Sequence, residues 1–256
     1  MRLSARTILI TGGSAGIGLA FALKFLELGN EVIVTGRRKA VLDAVKAQHP
    51  KLHTIQSDSA DPAQIAELAA RVKRDFPKLD VVMNNAGIGI AKNLKDPVGD
   101  LTGLMAEVDV NVGGVIRTTS ALMDILTANQ GTVINVSSAL AFVPVPAMPI
   151  YSATKAAVHS YTQSLRFQLQ GSGVEVIELM LPAVRTDMTS EFEEAGISRI
   201  TTDELVNQTI SALRAGKREI RPGQSNLLAF MRRLAPSFIN RQLWKASKAL
   251  VPIAAA

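Results

Sequence analysis

Apolar runs that predict buried strands alternate along the chain with segments whose apolar residues recur at helical spacing. The predicted strands are Thr7–Ile10, Glu31–Thr35, His53–Gln56, Leu79–Met83, Thr132–Val136, Val174–Leu181 and Glu219–Ile220. The predicted helices are Leu19–Leu28, one that begins at Asp61-Pro62, Pro97–Ala128, Pro149–Leu169 and Thr202–Ala215. Such alternation is typical of an α/β protein, and it predicts a Rossmann-type, doubly wound parallel sheet of about seven strands with helices on both faces.

Two segments interrupt this alternation. Residues 188–200 lie between the sixth strand and the next helix, and we expect them to form a mobile lid over a substrate. Residues 223–256 form a basic amphipathic C-terminal extension. Because no repeat, low-complexity tract or interdomain linker is apparent, we expect residues 1–256 to form a single domain.

The composition excludes several classes of function. Hydrophobic residues make up 47% of the 256 residues and charged residues 20%, which fits a folded domain rather than a disordered chain. Aromatic residues make up only 4%, too few for nucleic-acid binding by base stacking. The chain has no cysteine, which excludes disulfides, thiolate metal sites and a cysteine nucleophile. No secretory signal or membrane-spanning stretch is apparent, and we expect a cytoplasmic location.

The net charge of +6 is unevenly distributed along the chain. No acidic residue follows Glu219, whereas basic residues continue to Lys248. Apolar residues such as Phe230 and Trp244 make the same segment amphipathic. Such a segment can cover an oligomer interface, pack against its own chain or lie on an anionic membrane, and the sequence leaves these alternatives open.

A glycine-rich turn, Thr11–Gly18, follows the first strand and opens a helix. Glycine is needed where the backbone turns tightly or approaches a pyrophosphate closely. The N–H groups and the dipole at a helix N-terminus attract phosphate. A tight turn without a ligand can show the same spacing, but the position between a strand and a helix is the context that dinucleotide binding requires. The predicted phosphate-binding residues are Gly12, Ser14, Gly16, Ile17 and Gly18.

The end of the second strand decides which dinucleotide binds. An acidic residue there would bind the ribose 2′-hydroxyl and repel a 2′-phosphate. This chain instead has Arg37 and Arg38, and guanidinium groups suit a 2′-phosphate because they bind it in bidentate fashion. The sequence therefore predicts NADP(H) in preference to NAD(H).

Tyr151 and Lys155 lie four residues apart, on one face of the helix that follows the fifth strand. A phenol has a pKa of about 10, and an adjacent ammonium group lowers it, which lets tyrosine act as a general acid or base at a carbonyl or an alcohol. Alone, this spacing usually marks a pair on a helix surface. Its position after the fifth strand of a dinucleotide-binding fold is what favours a catalytic role. Ser138 closes the fifth strand, where its hydroxyl could bind a substrate oxygen or simply cap a turn.

Together these residues resemble the short-chain dehydrogenase/reductase family, in its main branch, over about residues 5–190. The ordered motifs are the Gly12/Gly16/Gly18 turn, Asp58 after the third strand, Asn84-Asn85-Ala86-Gly87 after the fourth, Asn111, Ser138, and Tyr151 with Lys155. Pro182-Ala183-Val184-Arg185-Thr186 resembles the family's segment near the nicotinamide, with Ala183 in place of the usual glycine. The segment Gly216–Gly223 and the tail after it resemble the DltE-like branch of the family.

The resemblance implies reversible hydride transfer between a nicotinamide and a ketone or aldehyde, without a metal. Tyr151 would donate the proton in reduction, Lys155 would lower its pKa and hold the nicotinamide ribose, and Ser138 would polarise the carbonyl. Asn111 would hold a water that links Lys155 to solvent. Further cofactor contacts are implied for Asp58 near the adenine, Asn85 near a ribose, Ala86, Gly87, Pro182, Val184 and Thr186 near the carboxamide. Homodimers or homotetramers are also implied by the family.

The residues expected near the substrate are mostly apolar, and the chief candidates are Leu140, Phe142, Val145 and Met188. They predict a pocket for an apolar carbonyl or alcohol, although several could instead pack in the core. Arg185 is the charged residue that could bind a carboxylate.

Three alternatives stay open at this point. The protein could be a dehydrogenase of small hydroxy or amino acids, such as serine-like substrates. It could be a non-catalytic NADP-binding protein, against which the retention of Asn111, Ser138, Tyr151 and Lys155 counts. It could also act at a membrane surface through its tail.

Overall fold

The computed structural model describes residues 2–97, 99–186, 189 and 198–247. The strands in these ranges are β1 (Thr7–Ile10), β2 (Glu31–Gly36), β3 (His53–Gln56), β4 (Leu79–Asn84), β5 (Thr132–Ser138), β6 (Glu175–Leu181) and β7 (Glu219–Ile220). All are parallel and lie in the order β3-β2-β1-β4-β5-β6-β7, which confirms the predicted doubly wound α/β sheet. The strand order reverses between β1 and β4, and ligands bind such sheets at the reversal, beyond the carboxyl ends of the strands.

Helices supply the crossovers that parallel strands require. They are α1 (Gly16–Glu27), α2 (Lys39–Gln48), α3 (Pro62–Asp75), α4 (Leu101–Leu104), α5 (Ala106–Val108), α6 (Gly114–Ala121), α7 (Met123–Ala128), α8 (Pro149–Gln168), α9 (Thr202–Arg214), α10 (Ser225–Leu234) and α11 (Pro236–Ser247). As predicted, Asp61 caps α3, and its carboxylate accepts hydrogen bonds from two backbone N–H groups of the first turn. Among the described residues, no helix is both long enough and apolar enough to cross a bilayer.

Both faces of the sheet are covered by helices, so the central strands β1 and β5 are buried at every position rather than at alternate ones. All four residues of β1 are buried. Ile8 and Ile10 pack on one face with Phe25 of α1, whereas Leu9 packs on the other face with Val72 of α3. This division follows from the side-chain period of two along a strand. The two cores fix the strand ends on which the candidate site is built.

The predicted single helix Pro97–Ala128 is wrong. The structure has α4 to α7 in this region, with a π-helical turn at Asp109–Gly113 between α5 and α6. Glycines at positions 103, 113 and 114 lower the helix propensity of the segment. Single π-helical turns occur frequently at functional sites, and this one carries Asn111.

Two boundaries differ from the sequence prediction by more than one residue. The first helix begins at Gly16 rather than at Leu19, because the glycine-rich turn itself supplies the first helical residues. β5 continues through Ser138 rather than ending at Val136, and the two added serines pair with Met180 and Leu181 of β6.

Candidate active site

The glycine-rich turn is packed too tightly for larger side chains. Gly12 has a φ of +65°, and a Cβ atom there would lie 2.8 Å from the Ala86 Cα. A Cβ atom on Gly18 would lie 2.4 Å from the carbonyl oxygen of Gly12. The residue before α1, Ala15, offers no side chain to cap the helix, so the N–H groups of the first turn are left for a ligand.

The turn is tied to the end of β4 by hydrogen bonds that the sequence analysis did not anticipate. The Thr11 hydroxyl accepts hydrogen bonds from the backbone N–H groups of Asn85 and Ala86, both at 3.0 Å. The Asn85 amide donates to the carbonyl oxygens of Thr11 and Gly12 at 3.0 and 3.2 Å. Asn85 therefore shapes the turn as well as bordering the cavity beside it. Asn84 braces the sheet, with its amide bonded to Thr119 and Asn135.

A cavity of about 390 Å³, here the first cavity, runs along this edge of the sheet. All the residues predicted to bind the cofactor line it: Gly12, Ser14, Gly16, Ile17, Gly18, Arg37, Arg38, Asp58, Asn85, Ala86, Gly87, Tyr151, Lys155, Pro182, Val184 and Thr186. The sequence analysis missed further wall residues, among them Ser57, Ser59, Val110 and Thr189. These are small or apolar residues without a motif of their own; Ser57 and Ser59 follow the end of β3, which is the one signal that could have indicated them, whereas Val110 lies in the π-helical turn.

Arg37 and Arg38 stand at the rim of the first cavity, where β2 ends and α2 begins. Both side chains are exposed, and neither has an ion-pair partner in the described part of the chain. Asp58 lines the same cavity, and its carboxylate accepts a hydrogen bond from the Ala60 N–H at 2.9 Å. Asp58 therefore caps a turn, and it also borders the first cavity.

Tyr151, Lys155 and Ser138 converge where α8 crosses the end of β5. The Lys155 ammonium is buried, donates a hydrogen bond to the Val136 carbonyl at 2.9 Å and lies 5.6 Å from the centre of the Tyr151 ring. The Ser138 hydroxyl accepts a hydrogen bond from the Leu140 N–H at 3.1 Å and donates one to the Leu181 carbonyl at 3.4 Å. Ser138 thus caps the turn that follows β5.

Burial controls the protonation of this group. Burial raises the pKa of Tyr151 to about 12; the Ser138 hydroxyl opposes this rise, and the charge of Glu107 adds to it. Burial lowers the pKa of Lys155 to about 8. Desolvation therefore decides the direction of the Tyr151 shift, and the lowering of that pKa by Lys155 stays a prediction.

Asn111 is fully buried and lines neither cavity described here. Its Oδ1 accepts from the Ile88 N–H at 2.9 Å, and its Nδ2 donates to the Ile88 carbonyl at 2.8 Å and to the Thr154 hydroxyl at 3.0 Å. A Cβ atom on Gly87 would lie 3.2 Å from Asn111 Oδ1 and 3.5 Å from Lys155 Nζ, so the two side chains flank that glycine. The observed bonds make Asn111 a brace for the Ile88 peptide, and its relay water stays a prediction.

A second cavity of about 210 Å³ adjoins the first. Its walls include the predicted residues Ser138, Leu140, Val145 and Tyr151, and no charged side chain among the residues described. The tail contributes to it through Gln224, Leu228 and Leu243, which the sequence analysis did not foresee. Of the predicted lid, Thr189, Ser198 and Ile200 line this cavity, whereas Met188 and residues 190–197 lie outside the described residues.

Phe142 does not line either cavity, so its assignment to the substrate pocket is wrong. Its ring packs edge-on against His159 at 4.7 Å, and the Arg221 guanidinium lies 5.3 Å from its centre. Cation–π and edge-to-face contacts favour this outer position. Arg185 is exposed and likewise lines neither cavity; its charge acts on Glu204, whose pKa it helps to lower after the hydrogen bonds from Thr201.

Two buried acidic residues near the site carried no sequence signal. Glu107 lies one helical turn before Asn111 and accepts a hydrogen bond from the Ile90 N–H at 3.2 Å, and burial raises its pKa. Glu178 of β6 is fully buried between the Ser137 hydroxyl, at 2.5 Å, and His159 Nδ1, at 2.9 Å. His159 lies one turn beyond Lys155 on α8, and that spacing is the one feature of the sequence that could have indicated it.

The model of the short chain dehydrogenase family matches residues 6–196. The chain belongs to this family of oxidoreductases. Within it, the chain is similar to the uncharacterized oxidoreductase DltE of Bacillus subtilis (strain 168): the two are 38% identical over 224 residues, which are 86% of this chain and 89% of that protein. The resemblance to the DltE-like branch is thereby confirmed.

Two further relatives bear on the chemistry. Serine 3-dehydrogenase of Rhizobium radiobacter is 32% identical over 212 residues, covering 78% of this chain and 85% of that protein. A short chain dehydrogenase from Burkholderia cenocepacia J2315, solved in complex with NADP, superposes with a TM-score of 0.83 at 26% identity, over 95% of this chain and 99% of that one. Other similar chains were solved with NADH, so the preferred dinucleotide has to be argued from the residues.

Proposed function

We propose that this protein uses NADP(H) to reduce a ketone or aldehyde to an alcohol, reversibly, with Tyr151 as the group that exchanges the proton. The observation that carries the proposal is the place of Tyr151 in the walls of both cavities. Lys155 lines only the first cavity and Ser138 only the second. The phenol therefore stands between the space that suits a dinucleotide and the space that suits an apolar substrate.

The first cavity fits a dinucleotide on structural grounds. Added Cβ atoms at Gly12 and Gly18 would collide with neighbouring backbone, so the turn keeps its surface low where a pyrophosphate approaches. The uncapped first turn of α1 supplies N–H donors to the same place. When bound, the dinucleotide supplies or accepts the hydride.

The second cavity holds the groups that act on a carbonyl. Ser138 and Tyr151 both line it, so their two hydroxyls can bind one carbonyl oxygen. Ser138 orients that oxygen, and Tyr151 gives it a proton as the alcohol forms. Buried Lys155 is held by the Val136 carbonyl on the first-cavity side, where it can anchor a ribose hydroxyl.

The reductive direction requires a protonated phenol. With a pKa that burial raises to about 12, Tyr151 carries its proton at neutral pH, and it can donate this proton only where the phenolate that remains is stabilised. Lys155, with a pKa of about 8, is cationic under the same conditions. As the carbonyl oxygen gains negative charge, this cation stabilises the phenolate that remains after proton transfer.

The preference for NADP(H) rests on Arg37 and Arg38. Their exposed guanidiniums stand at the rim of the first cavity, at the end of β2, and β2 carries no acidic residue at that end. A ribose 2′-hydroxyl normally meets an acid at this position, whereas a 2′-phosphate gains from bidentate arginines. Guanidiniums that have no ion-pair partner among the described residues favour the phosphate.

The substrate class rests on the walls of the second cavity. Among the described residues they are formed by apolar side chains such as Leu140, Val145 and Leu228, with hydroxyl and amide groups but no charge. A carboxylate would be left without a cation in such a cavity, which is unfavourable. This favours an apolar ketone or aldehyde over the rival substrates, small hydroxy or amino acids, even though a serine dehydrogenase is among the relatives.

Turnover with matched substrates tests the proposal. Purified protein is assayed for NADPH oxidation with apolar ketones and aldehydes of increasing length, and for NADP⁺ reduction with serine and 3-hydroxy acids. We expect turnover with the apolar carbonyls and a loss of it in Ser138→Ala. Turnover of the hydroxy acids alone would move the assignment to the rival class. NADPH binding without turnover of either class would favour a non-catalytic protein.

We further propose that residues 1–256 act as one catalytic domain and that the chain assembles into homodimers or homotetramers. Phe167 on α8 and Ile116 on α6 support assembly, because their side chains are 71% and 39% exposed although large and apolar. Light scattering on the purified protein and on Phe167→Ser tests it. A monomeric mass for both would contradict it.

A further inference from the structure

The tail helices α10 and α11 have an inner and an outer face. Leu228 and Leu243 point inward and line the second cavity, and Ile239 is buried beside them. On the outer face of α10, three large apolar side chains form a stripe at helical spacing: Leu227, Phe230 and Leu234 are 56%, 58% and 64% exposed. Phe238 of α11 adds a fourth, 54% exposed. These four residues are called the outer stripe below.

The outer stripe is accompanied by cations without partners. Arg233 lies three residues after Phe230, and Arg241 and Lys245 lie three and seven residues after Phe238, so they share helix faces with the stripe. All three are exposed, and none has an ion pair within the described part of the chain. Sequence numbering also places them beyond the last acidic residue, Glu219. An exposed apolar stripe beside positive charge that nothing neutralises is the pattern of a helix that lies in the interface of an anionic bilayer.

We propose that α10 and α11 dock this protein on an anionic phospholipid membrane, with the outer stripe in the acyl–headgroup boundary and the arginines on lipid phosphates. The same two helices form part of the wall of the second cavity, so docking brings that cavity to the membrane surface. Its substrate is accordingly a lipophilic carbonyl compound that partitions into the bilayer; this second clause rests on the proposed function, whereas the docking itself does not.

Charge decides between a membrane and a second copy of the chain as the occupant. If the outer stripe packed on its own copy about a twofold axis, the same patch would lie on both sides of the interface. Arg233 and Arg241 of the two chains would then meet without an acid from either tail. Like charges at an interface oppose association, whereas anionic headgroups neutralise them.

Vesicle co-sedimentation of the full chain tests the docking. Vesicles of phosphatidylcholine alone are compared with vesicles of phosphatidylcholine and phosphatidylglycerol in equal parts. We expect binding to the anionic vesicles only, weakened by salt. The emission of Trp244, the single tryptophan of the chain and a residue of α11, provides a second readout and should change on binding.

Variants separate the two parts of the surface. Phe230→Ser with Leu234→Ser removes half of the stripe, and Arg233→Glu with Arg241→Glu reverses two charges. Each pair should lower partitioning onto anionic vesicles by about tenfold or more. Matched controls are Leu101→Ser, an apolar side chain 71% exposed on α4, and Arg214→Glu, an exposed arginine of α9. Both controls should bind as the wild type does.

Several outcomes would overturn the docking proposal. They are no binding to either vesicle, equal binding to both, and partitioning unchanged in the tail variants. A doubling of mass in solution that Phe230→Ser abolishes would assign the surface to a second copy instead. NADPH titration of the same preparations distinguishes the docking proposal from the proposed function. Docking can fail while the dinucleotide still binds, and the dinucleotide can fail to bind while docking persists.

Discussion

Replacing Arg37 and Arg38 by alanine should remove the preference for NADPH over NADH, so that the two dinucleotides bind with similar affinity. Both guanidiniums are exposed at the rim of the first cavity and unpaired among the described residues, so the variants leave no buried partner behind. The fold should therefore be unaffected, and the change should appear in binding alone.

The size of the effect follows from this exposure. A hydrogen bond to a charged group contributes about 1.5–3 kcal/mol, and solvent at the rim places each arginine at the lower end, about 1.5 kcal/mol. That value corresponds to about a tenfold loss of NADPH affinity for each single variant and about a hundredfold loss for the double variant. NADH lacks the 2′-phosphate, and its affinity should hardly change.

Fluorescence titration of NADPH and NADH, at low and at high salt, measures these affinities. Rising salt should weaken NADPH binding in the wild type and have less effect in the double variant, because the exposed phosphate contacts are screened. The matched control is Lys39→Ala: Lys39 is an exposed cation of the same segment that pairs with Asp43 at 2.6 Å and does not line the cavity. Equal losses for NADPH and NADH, or the same loss in Lys39→Ala, would refute the reasoning.

Three further predictions concern packing, pH and buried charge. Gly18→Ala places a methyl group 2.4 Å from the Gly12 carbonyl oxygen, and a strain of about 1–3 kcal/mol should weaken NADPH binding about tenfold or more in the same titration; unchanged affinity would mean that the turn is looser than described. Because the ordinary lysine pKa of 10.5 falls to about 8 in folded Lys155, the unfolded chain binds more protons between these values, and stability should rise by about 3 kcal/mol as the pH increases through this window. Urea unfolding of wild type and Lys155→Met at pH 8 and pH 10 measures this, and an identical pH dependence would contradict the burial of the ammonium. His159→Ala leaves Glu178 buried without its imidazole and should lower the free energy of unfolding by about 3 kcal/mol; a thermal melt that does not shift relative to Gln163→Ala, which removes only the outer bond of His159, would count against the pair.

The residues that line the first cavity could be predicted from the sequence because the features that mark them are local. Glycines at fixed spacing after a buried strand, and arginines at the end of the next strand, occupy positions that the parallel sheet brings to one edge. Once the strand order is a doubly wound one, Gly18, Arg37 and Asn85 must share a cavity. Their positions required no knowledge of side-chain packing.

The residues that line the second cavity were predicted less well because contacts between distant parts of the chain determine them. Phe142 follows β5 like the true wall residues, but Arg221 and His159 stabilise its ring outside the cavity. Leu228 and Leu243 reach the second cavity from the tail, whose helices carry no signal for where they fold back. An apolar residue after a strand can line a pocket or pack beside it, and the local sequence is the same in both cases.

The pKa of Tyr151 shows a third kind of limit. Helical spacing correctly placed Lys155 beside the phenol, at 5.6 Å from the ring centre. Spacing cannot weigh that charge against desolvation, which depends on how completely other elements cover the pair. In the structure desolvation decides the direction of the shift, which is upward.

The central claim is that Tyr151 gives the substrate its proton, and a single-turnover comparison of wild type with Tyr151→Phe tests it most directly. Enzyme saturated with NADPH is mixed with an apolar ketone or aldehyde, and the loss of nicotinamide fluorescence is followed over time. Phenylalanine keeps the ring and removes only the proton-bearing oxygen, so we predict NADPH affinity close to that of the wild type and a reduction rate lower by about a hundredfold or more. Carbonyl reduction at an undiminished rate in Tyr151→Phe would contradict the account.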